Sequence, residues 1–570
     1  MPLEHMGLAP FLSQLSARLD ALDARQLRAL LLAHAATLDP VARSRFLAIF
    51  EEPGAARDGE GDGALLVDIA ALVKRIRDGA YFEGWGWDDD LGDERGWGDE
   101  SWAVEMDVLF DRAGVEFLSG DPHTARDAYG ELLDALGLDE EVGTYSGPRP
   151  AGEMLQADLT EAKARALRLL YETTTPSERV DALATAFADW RYVGGRVGLR
   201  DIIDARPAAL ANLDALAEEW IGRFSPAAGG SIAGEERALL VEMAVMRGGP
   251  DAVGELAARL GDDTPELFVA WVDSLLRAGR LADAAGACSS ALGLLPARGE
   301  PRAAIAERHA TLVDTSEHRL ECARVAWRAA PTALRLRRLA READAATLAA
   351  EADALIDNDP GARLAAVLLV LAGRIDDAVA MLERADPLGW SRADHPGPVV
   401  VPFLLIAATA GARADEDCVP GASAMLLAVD APDWREPAYR LDDDDDDRDA
   451  RGDRDPVSEL SALLAAHAAL TPGTPEQRAR WLAQARDTAD ARISAIVIAK
   501  HRSAYDRAAL LATACAEAVA VTDGAAAAAT MLVNLRGRYP RHTAFRSALD
   551  RAGRRSELLP ALPGRGGELT

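Results

Sequence analysis

The chain is poor in cysteine, lysine, aromatics and long apolar runs, and each shortage excludes something. Its four cysteines, Cys288, Cys322, Cys418 and Cys515, stand far apart in 570 residues with no C-x-x-C pair. That argues against a disulfide framework and a Cys-rich zinc site, and leaves four reduced thiols serving as small apolar residues. Lysine occurs only at Lys74, Lys163 and Lys500, so the absence of a G-x-x-x-x-G-K-[ST] phosphate loop is read at a glance. Neither G-x-S-x-G nor H-E-x-x-H occurs, which removes the usual serine-hydrolase and zinc-protease signatures. Aromatics make up 5%, and alternating runs of β-branched and aromatic residues are nearly absent, unlike an all-β protein. No apolar run approaches the roughly 18 residues of a membrane span; the best, Val399–Ala410, is short and contains Pro402.

What is present is a globular, acidic, helix-forming composition. Hydrophobic residues are 49% and charged residues 27%; Lys+Arg is 62 against Asp+Glu 93, a net charge of −31. Such a surface does not bind nucleic acid or anionic membrane as a whole. Met1–Gly7 lacks a basic stretch leading into an apolar one, so the expectation is a soluble, cytoplasmic protein. Arginine in place of lysine, with abundant Ala, Gly and Asp, is the bias of a high-GC bacterial genome. Alanine and leucine are the strongest helix formers, and apolar residues recur at three- and four-residue spacing, as in Leu27-Leu30-Leu31. The predicted fold class is all-α.

Along the chain, residues 1–51 read as N-terminal helices, with Asp23 capping the second and Asp39-Pro40 opening a third. Residues 52–103 read as a loop-rich acidic and Trp-rich segment holding one amphipathic helix at 65–78, with 79–102 irregular. Helix follows helix over 104–440. Residues 441–456, with Asp442–Asp447 at their core, read as a solvated acidic linker, since like charges repel and resist burial. Residues 457–555 form a C-terminal helical block and 556–570 a fraying tail.

Three segments share one register, aligned on a Gly followed by a polar residue: Gly120-Asp121, Gly279-Arg280 and Gly373-Arg374. Seven residues earlier stands Ala113, Val272 or Ala366; five later Ala125, Ala284 or Ala378; nine later Tyr129, Cys288 or Leu382. This fits two antiparallel helices joined by a tight turn: a left-handed Gly ends the first, alanines admit close approach, and larger side chains fill the space between hairpins. The segments resemble the tetratricopeptide repeat, best at Thr264–Pro296 with Trp271, Leu275, Gly279, Ala284, Ala291 and Pro296. Val272, Leu132, Gly137 and Trp390 depart from its pattern, and the copies are unevenly spaced. The resemblance implies a degenerate α-solenoid of antiparallel hairpins; the competing reading is ordinary hairpins in a non-repeating bundle. A weaker resemblance, through His395-Pro396-Gly397 and Lys500–Tyr505, is to the helical regions of bacterial SWIM zinc-finger proteins, without the zinc finger's Cys/His set.

The segment Tyr81–Trp102 concentrates Trp85, Trp87, Trp97 and Trp102 among Asp88, Asp89, Asp90, Asp93, Glu94, Asp99 and Glu100. Tryptophan buries a large area at small entropic cost, and carboxylates beside aromatic faces suit a cationic segment. The alternatives are a loop folded back to cap helical core, or a small-ligand or Ca²⁺ site. Phe268, Trp271 and Leu275 are the groove-side candidates of the best repeat. Residues 492–555 hold eleven basic against four acidic residues, and Arg536, Arg538, Arg541 and Arg546 could face phosphate or pair with the chain's own acids. No residue is assigned a catalytic or metal role and no cofactor is expected, because acidic pairs are everywhere and no His pair has ligand spacing with a third ligand. The leading expectation is a non-enzymatic helical-repeat scaffold or adaptor that binds a basic peptide or protein partner. The alternatives are a nucleic-acid-associated regulator working through the C-terminal block, and an enzyme with an unfamiliar metal site in the acidic loop. Oligomeric state is not legible.

Overall fold

Helix-start chemistry is written into side chains that reach back to the exposed backbone N–H groups of the first turn. Asp23 accepts from the N–H of Gln26 at 2.7 Å while the Gln26 side chain accepts from the N–H of Asp23 at 2.9 Å. Thr474 and Gln477 form the same reciprocal box, and Asp121, Asp158, Thr315, Thr332 and Asp344 each cap a helix singly. The computed structural model of the chain describes residues 7–37, 63–88, 93–138, 145–147, 149–223, 234–354, 361–390, 392, 395–410, 419–427 and 456–559. The expected third N-terminal helix at Asp39-Pro40, the polyaspartate and the rest of the 441–455 linker, Cys418, and the tail from 560 lie outside them.

Among the described residues are 26 α-helices and one antiparallel pair of strands, Phe82–Asp88 and Asp93–Gly98. The chain is therefore all-α apart from that pair. The strands correct the expectation of irregular backbone at 79–102. Gly and Asp signalled loop there, but Trp85 and Trp87 alternate with Gly84 and Gly86, a period of two. The helix expected at 65–78 spans Gly63–Arg77.

The chain divides into two compact units, Met1–Ser274 and Leu275–Thr570. In the first, the helix Ser101–Ser119 packs on Gly63–Arg77 and on Pro122–Leu136, which packs in turn on Leu159–Thr173. Its core holds Trp102, Phe117, Tyr129 and Leu167, all 1% exposed or less. Arg168 is fully buried. It donates to the carbonyls of Ile202, Ile203 and Ala208 and pairs with Glu172 at 2.7 Å. A guanidinium in low dielectric persists only when its donors are met in this way.

The second unit is built around the helix Gly397–Thr409, which is apolar on all sides. Helices Ala362–Leu371, Pro420–Leu427, Pro456–Leu470, Pro475–Ile498 and Tyr505–Thr522 pack against it. A helix without a polar face is stable in water only when enclosed. One hydrophobic core runs from Trp327 to Leu559. The C-terminal helices thus share a core with the helices before the acidic stretch, a point that the sequence left open. Arg335, nearly buried, sits between Glu300 and Glu307; burial opposes its charge, and the two carboxylates override that and hold its pKa above the ordinary value.

The shared register places buried side chains where it should. Ala113, Val272 and Ala366 are 0% exposed, as are Ala125, Ala284 and Ala378, and Tyr129, Cys288 and Leu382 are 4% or less. Gly279 and Gly373 have φ of 71° and 74°, the left-handed turn expected of them. Gly120 departs from it, with φ −102° and ψ −156°.

Candidate functional site

The two strands are held to the first unit by a polar clasp at their base. Asp99 donates its N–H to the Tyr81 carbonyl at 3.0 Å, and the Ser146 hydroxyl donates to the Asp99 carbonyl at 2.7 Å. Gly147 donates to the Gly96 carbonyl at 2.9 Å. Beneath them Trp102 is 0% exposed; its indole N–H donates to the Ser146 carbonyl at 3.0 Å, and its ring lies 4.6 Å from that of Tyr145. Tyr145 donates to the Ala135 carbonyl. Tyr81 donates to Glu105, which also pairs with Arg75 at 2.5 Å. Burial, then the Glu105 charge, raises the Tyr81 phenol above its ordinary pKa and keeps it a donor.

Above the clasp the register sorts the side chains. Trp85 faces Gly96, Gly86 faces Arg95, and Gly84 faces Trp97 across the pair. Residues two apart on a strand share a face, so Trp85 and Trp87 stand side by side on one face, and Arg95 and Trp97 on the other. Trp85 and Trp87 are 53% and 60% exposed. Phe82 buttresses Trp85 edge-on, with ring centroids 5.5 Å apart. On the opposite face the Arg95 guanidinium lies 3.5 Å over the Trp97 ring and pairs with Glu100 at 3.0 Å. Trp97 also covers Gly86: a Cβ there would stand 2.5 Å from its indole nitrogen. The hairpin is thus stiff at its base and presents two large amphipathic rings with little conformational entropy left to lose.

The candidates do not form one surface. Trp102 is core, in the first turn of the helix Ser101–Ser119, which corrects its place among the contact residues. Phe268 and Leu275 are 5% and 1% exposed, so neither reaches a partner without unpacking; their apolar helical spacing marked core. Trp271 is half-buried. Asp89 and Asp90 lie outside the described residues, as does the Asp88 side chain.

Several arginines of the C-terminal block are engaged within the chain. Arg536 pairs with Asp550 at 3.4 Å, Arg538 with Asp490 at 2.5 Å and Arg551 with Asp506 at 2.5 Å. Arg546 donates to the Pro540 carbonyl at 3.2 Å, and Arg541 is exposed. The reading in which they pair with the chain's own acids describes three of them.

His395 is nearly buried; one ring nitrogen meets the Asp386 carbonyl at 2.7 Å and the other accepts from the Gly397 N–H at 2.9 Å, which fixes the orientation of the ring. Beside it Arg363, 2% exposed, gathers the carbonyls of Trp390, Arg392 and His395. Such buried charges were invisible in a sequence where arginine is everywhere. Among the described residues no three His, Cys, Asp or Glu side chains converge as a metal site, and no helix is long and apolar enough to cross a membrane. No protein-family model matches the chain, and no curated protein is significantly similar to it.

Proposed function

We propose that the chain is a non-enzymatic interaction protein of the cytoplasm. In this reading its helical hairpins form a degenerate tetratricopeptide-like array, and the Trp85/Trp87 face docks a basic segment of a protein partner. The observation that carries the proposal is the exposure of those two rings, side by side on a strand whose base is fastened to the core. Large aromatics on pre-ordered backbone are the usual anchors of an interface. The choice of a basic partner comes from the charge of −31 and from the acidic residues that join the strands in sequence; electrostatics of this kind speeds encounter more than it deepens affinity.

The test is a titration of the full chain with Arg/Lys-rich peptides and neutral analogues, followed by tryptophan fluorescence. The expected result is preferential binding of basic peptides, weakened about tenfold or more by Trp85→Ala/Trp87→Ala, equivalent to about 1.4 kcal/mol, with an unchanged melting temperature because both rings are exposed. Equal binding by the double variant would overturn the assignment. Salt-sensitive binding of nucleic acid, lost in Arg541→Ala/Arg546→Ala, would move the function to the C-terminal helices.

A further inference from the structure

Four arginines are buried among the described residues, and three of them are well met by acceptors. Arg168 has the Glu172 carboxylate, Arg335 has those of Glu300 and Glu307, and Arg363 gathers three backbone carbonyls. Arg492, 8% exposed, is the exception. Its Nη1 donates to the Pro387 carbonyl at 3.3 Å, and no carboxylate pairs with it among the described residues. Burial, and then the charge of Arg507, pulls its pKa down to about 10. A guanidinium withdrawn from water without an acid is costly.

The guanidinium is nevertheless held in a fixed plane. It lies 4.3 Å over the ring of Trp390. That ring is buried and packs so closely on Gly397 that a Cβ there would stand 2.4 Å from it, and the Trp390 carbonyl accepts from Arg363 at 2.9 Å. With Nη1 committed to Pro387, the edge left over is Nε and Nη2. Neither is a buried atom lacking a partner, and the chain offers neither a hydrogen bond, so both reach solvent. That edge carries two parallel N–H bonds, the fork that takes two oxygens of one anion.

Arg507 approaches from the next helix. Pro475–Ile498 and Tyr505–Thr522 pack together, and Arg507, which is exposed, lies near enough to oppose the charge of Arg492. The nearby acids are already used: Asp506 pairs with Arg551 at 2.5 Å and Asp490 with Arg538 at 2.5 Å. Residues 491–505 contain Arg492, Lys500 and Arg502 and no Asp or Glu. In a chain of net charge −31, two arginines left to repel one another mark a place where negative charge comes from outside. We propose that the Nε–Nη2 edge of Arg492 and the guanidinium of Arg507 together bind a phosphate monoester dianion. A dianion offsets both cations where a carboxylate offsets one, and its terminal oxygens serve both forks. The site is independent of the tryptophan hairpin.

The experiment titrates the full chain calorimetrically with phenyl phosphate and a phosphoserine peptide, above the second phosphate pKa of about 6. Acetate and the unphosphorylated peptide are the controls. Both phosphates are expected to bind and both controls to fail. Peptide affinity no better than that of phenyl phosphate assigns the site to a small phosphorylated molecule; tighter binding of the peptide assigns it to a phosphorylated protein. Arg492→Lys keeps the charge and loses the fork, and Arg507→Ala removes the second cation; each should weaken binding about tenfold or more. Arg507 is exposed, so its variant should melt as wild type does, which separates lost binding from lost folding. Trp85→Ala/Trp87→Ala and Arg541→Ala/Arg546→Ala should leave the affinity unchanged. Three results would overturn the proposal: no phosphate binding by the wild-type chain, acetate bound as tightly as phenyl phosphate, or affinity indifferent to Arg492→Lys and Arg507→Ala.

Discussion

Two helical hairpins with the same sequence register turn in different ways. Between Ala362–Leu371 and Ile375–Arg384, Gly373 takes φ 74°; its N–H meets the Val370 carbonyl at 3.1 Å, and the N–H of Arg374 reaches the Leu369 carbonyl at 2.8 Å. These paired bonds close the first helix on itself. Arg374 then reaches forward to Asp377 at 2.6 Å. The turn at Gly279 repeats the arrangement, with Arg280 on Asp283 at 2.7 Å. Between Ser101–Ser119 and Pro122–Leu136, Gly120 is extended, and the work passes to the next helix: Asp121 accepts from the Thr124 N–H at 2.8 Å, ahead of Pro122. Glycine serves conformation at 373, where an added Cβ would meet nothing within 4 Å. At 120 it serves space, since a Cβ would stand 2.9 Å from the Cα of Glu116. A shared glycine marks where a chain turns without saying how.

The largest effects test what the two hairpins have in common. Tyr129→Ala and Leu382→Ala each empty the same buried register position, and both are expected to destabilise the chain, by about 3–5 and about 2–5 kcal/mol respectively, read as a shift of the unfolding transition in denaturant. A neutral result at either would remove that hairpin from the shared register. The next effects separate the hairpins. Gly373→Ala forces an L-residue into the left-handed region at a cost of about 1–2 kcal/mol, whereas Gly373→Asn recovers most of that because asparagine tolerates the conformation. At Gly120 asparagine is expected to do no better than alanine, because the obstacle there is a neighbouring atom. Melting temperatures of the four variants decide the matter.

Smaller still is the Arg374–Asp377 contact. The arginine side chain is 36% exposed, so Arg374→Ala should cost less than about 1 kcal/mol and lose its effect in high salt. The smallest difference is in pH dependence. The Thr124 N–H and hydroxyl hold the Asp121 carboxyl below its ordinary pKa. A depressed folded pKa gives stability that is complete above the unfolded value, about 3.9, and is lost as pH falls through the folded one. Wild type and Asp121→Ala should therefore differ in melting temperature near neutrality and converge on acidification below about pH 4, while Gly373 variants show no such convergence.

How far the sequence could be read depended on whether a residue's role was local. Asp23 was legible as a cap because its partner is Gln26, three residues on. The buried alanines of the register were legible because helical spacing determines which face they share. The tryptophan strands were missed, since glycine and aspartate outweighed a period-two signal only a few residues long. Phe268 and Leu275 belong to the core that their apolar spacing implied, although their helix was read as the side of a groove.

The sequence by itself determined the helical class, the helix start at Asp23, the turning points at Gly120, Gly279 and Gly373, and the acidic charge, because each follows from composition or from bonds spanning a few residues. The tertiary structure alone decided that Arg538 belongs to Asp490, that Trp102 is enclosed while Trp85 and Trp87 are not, and that the C-terminal helices share one core with the Gly397–Thr409 helix. Those outcomes depend on which distant side chains come within contact distance, and burial and ion pairing are properties of that proximity, absent from any local pattern.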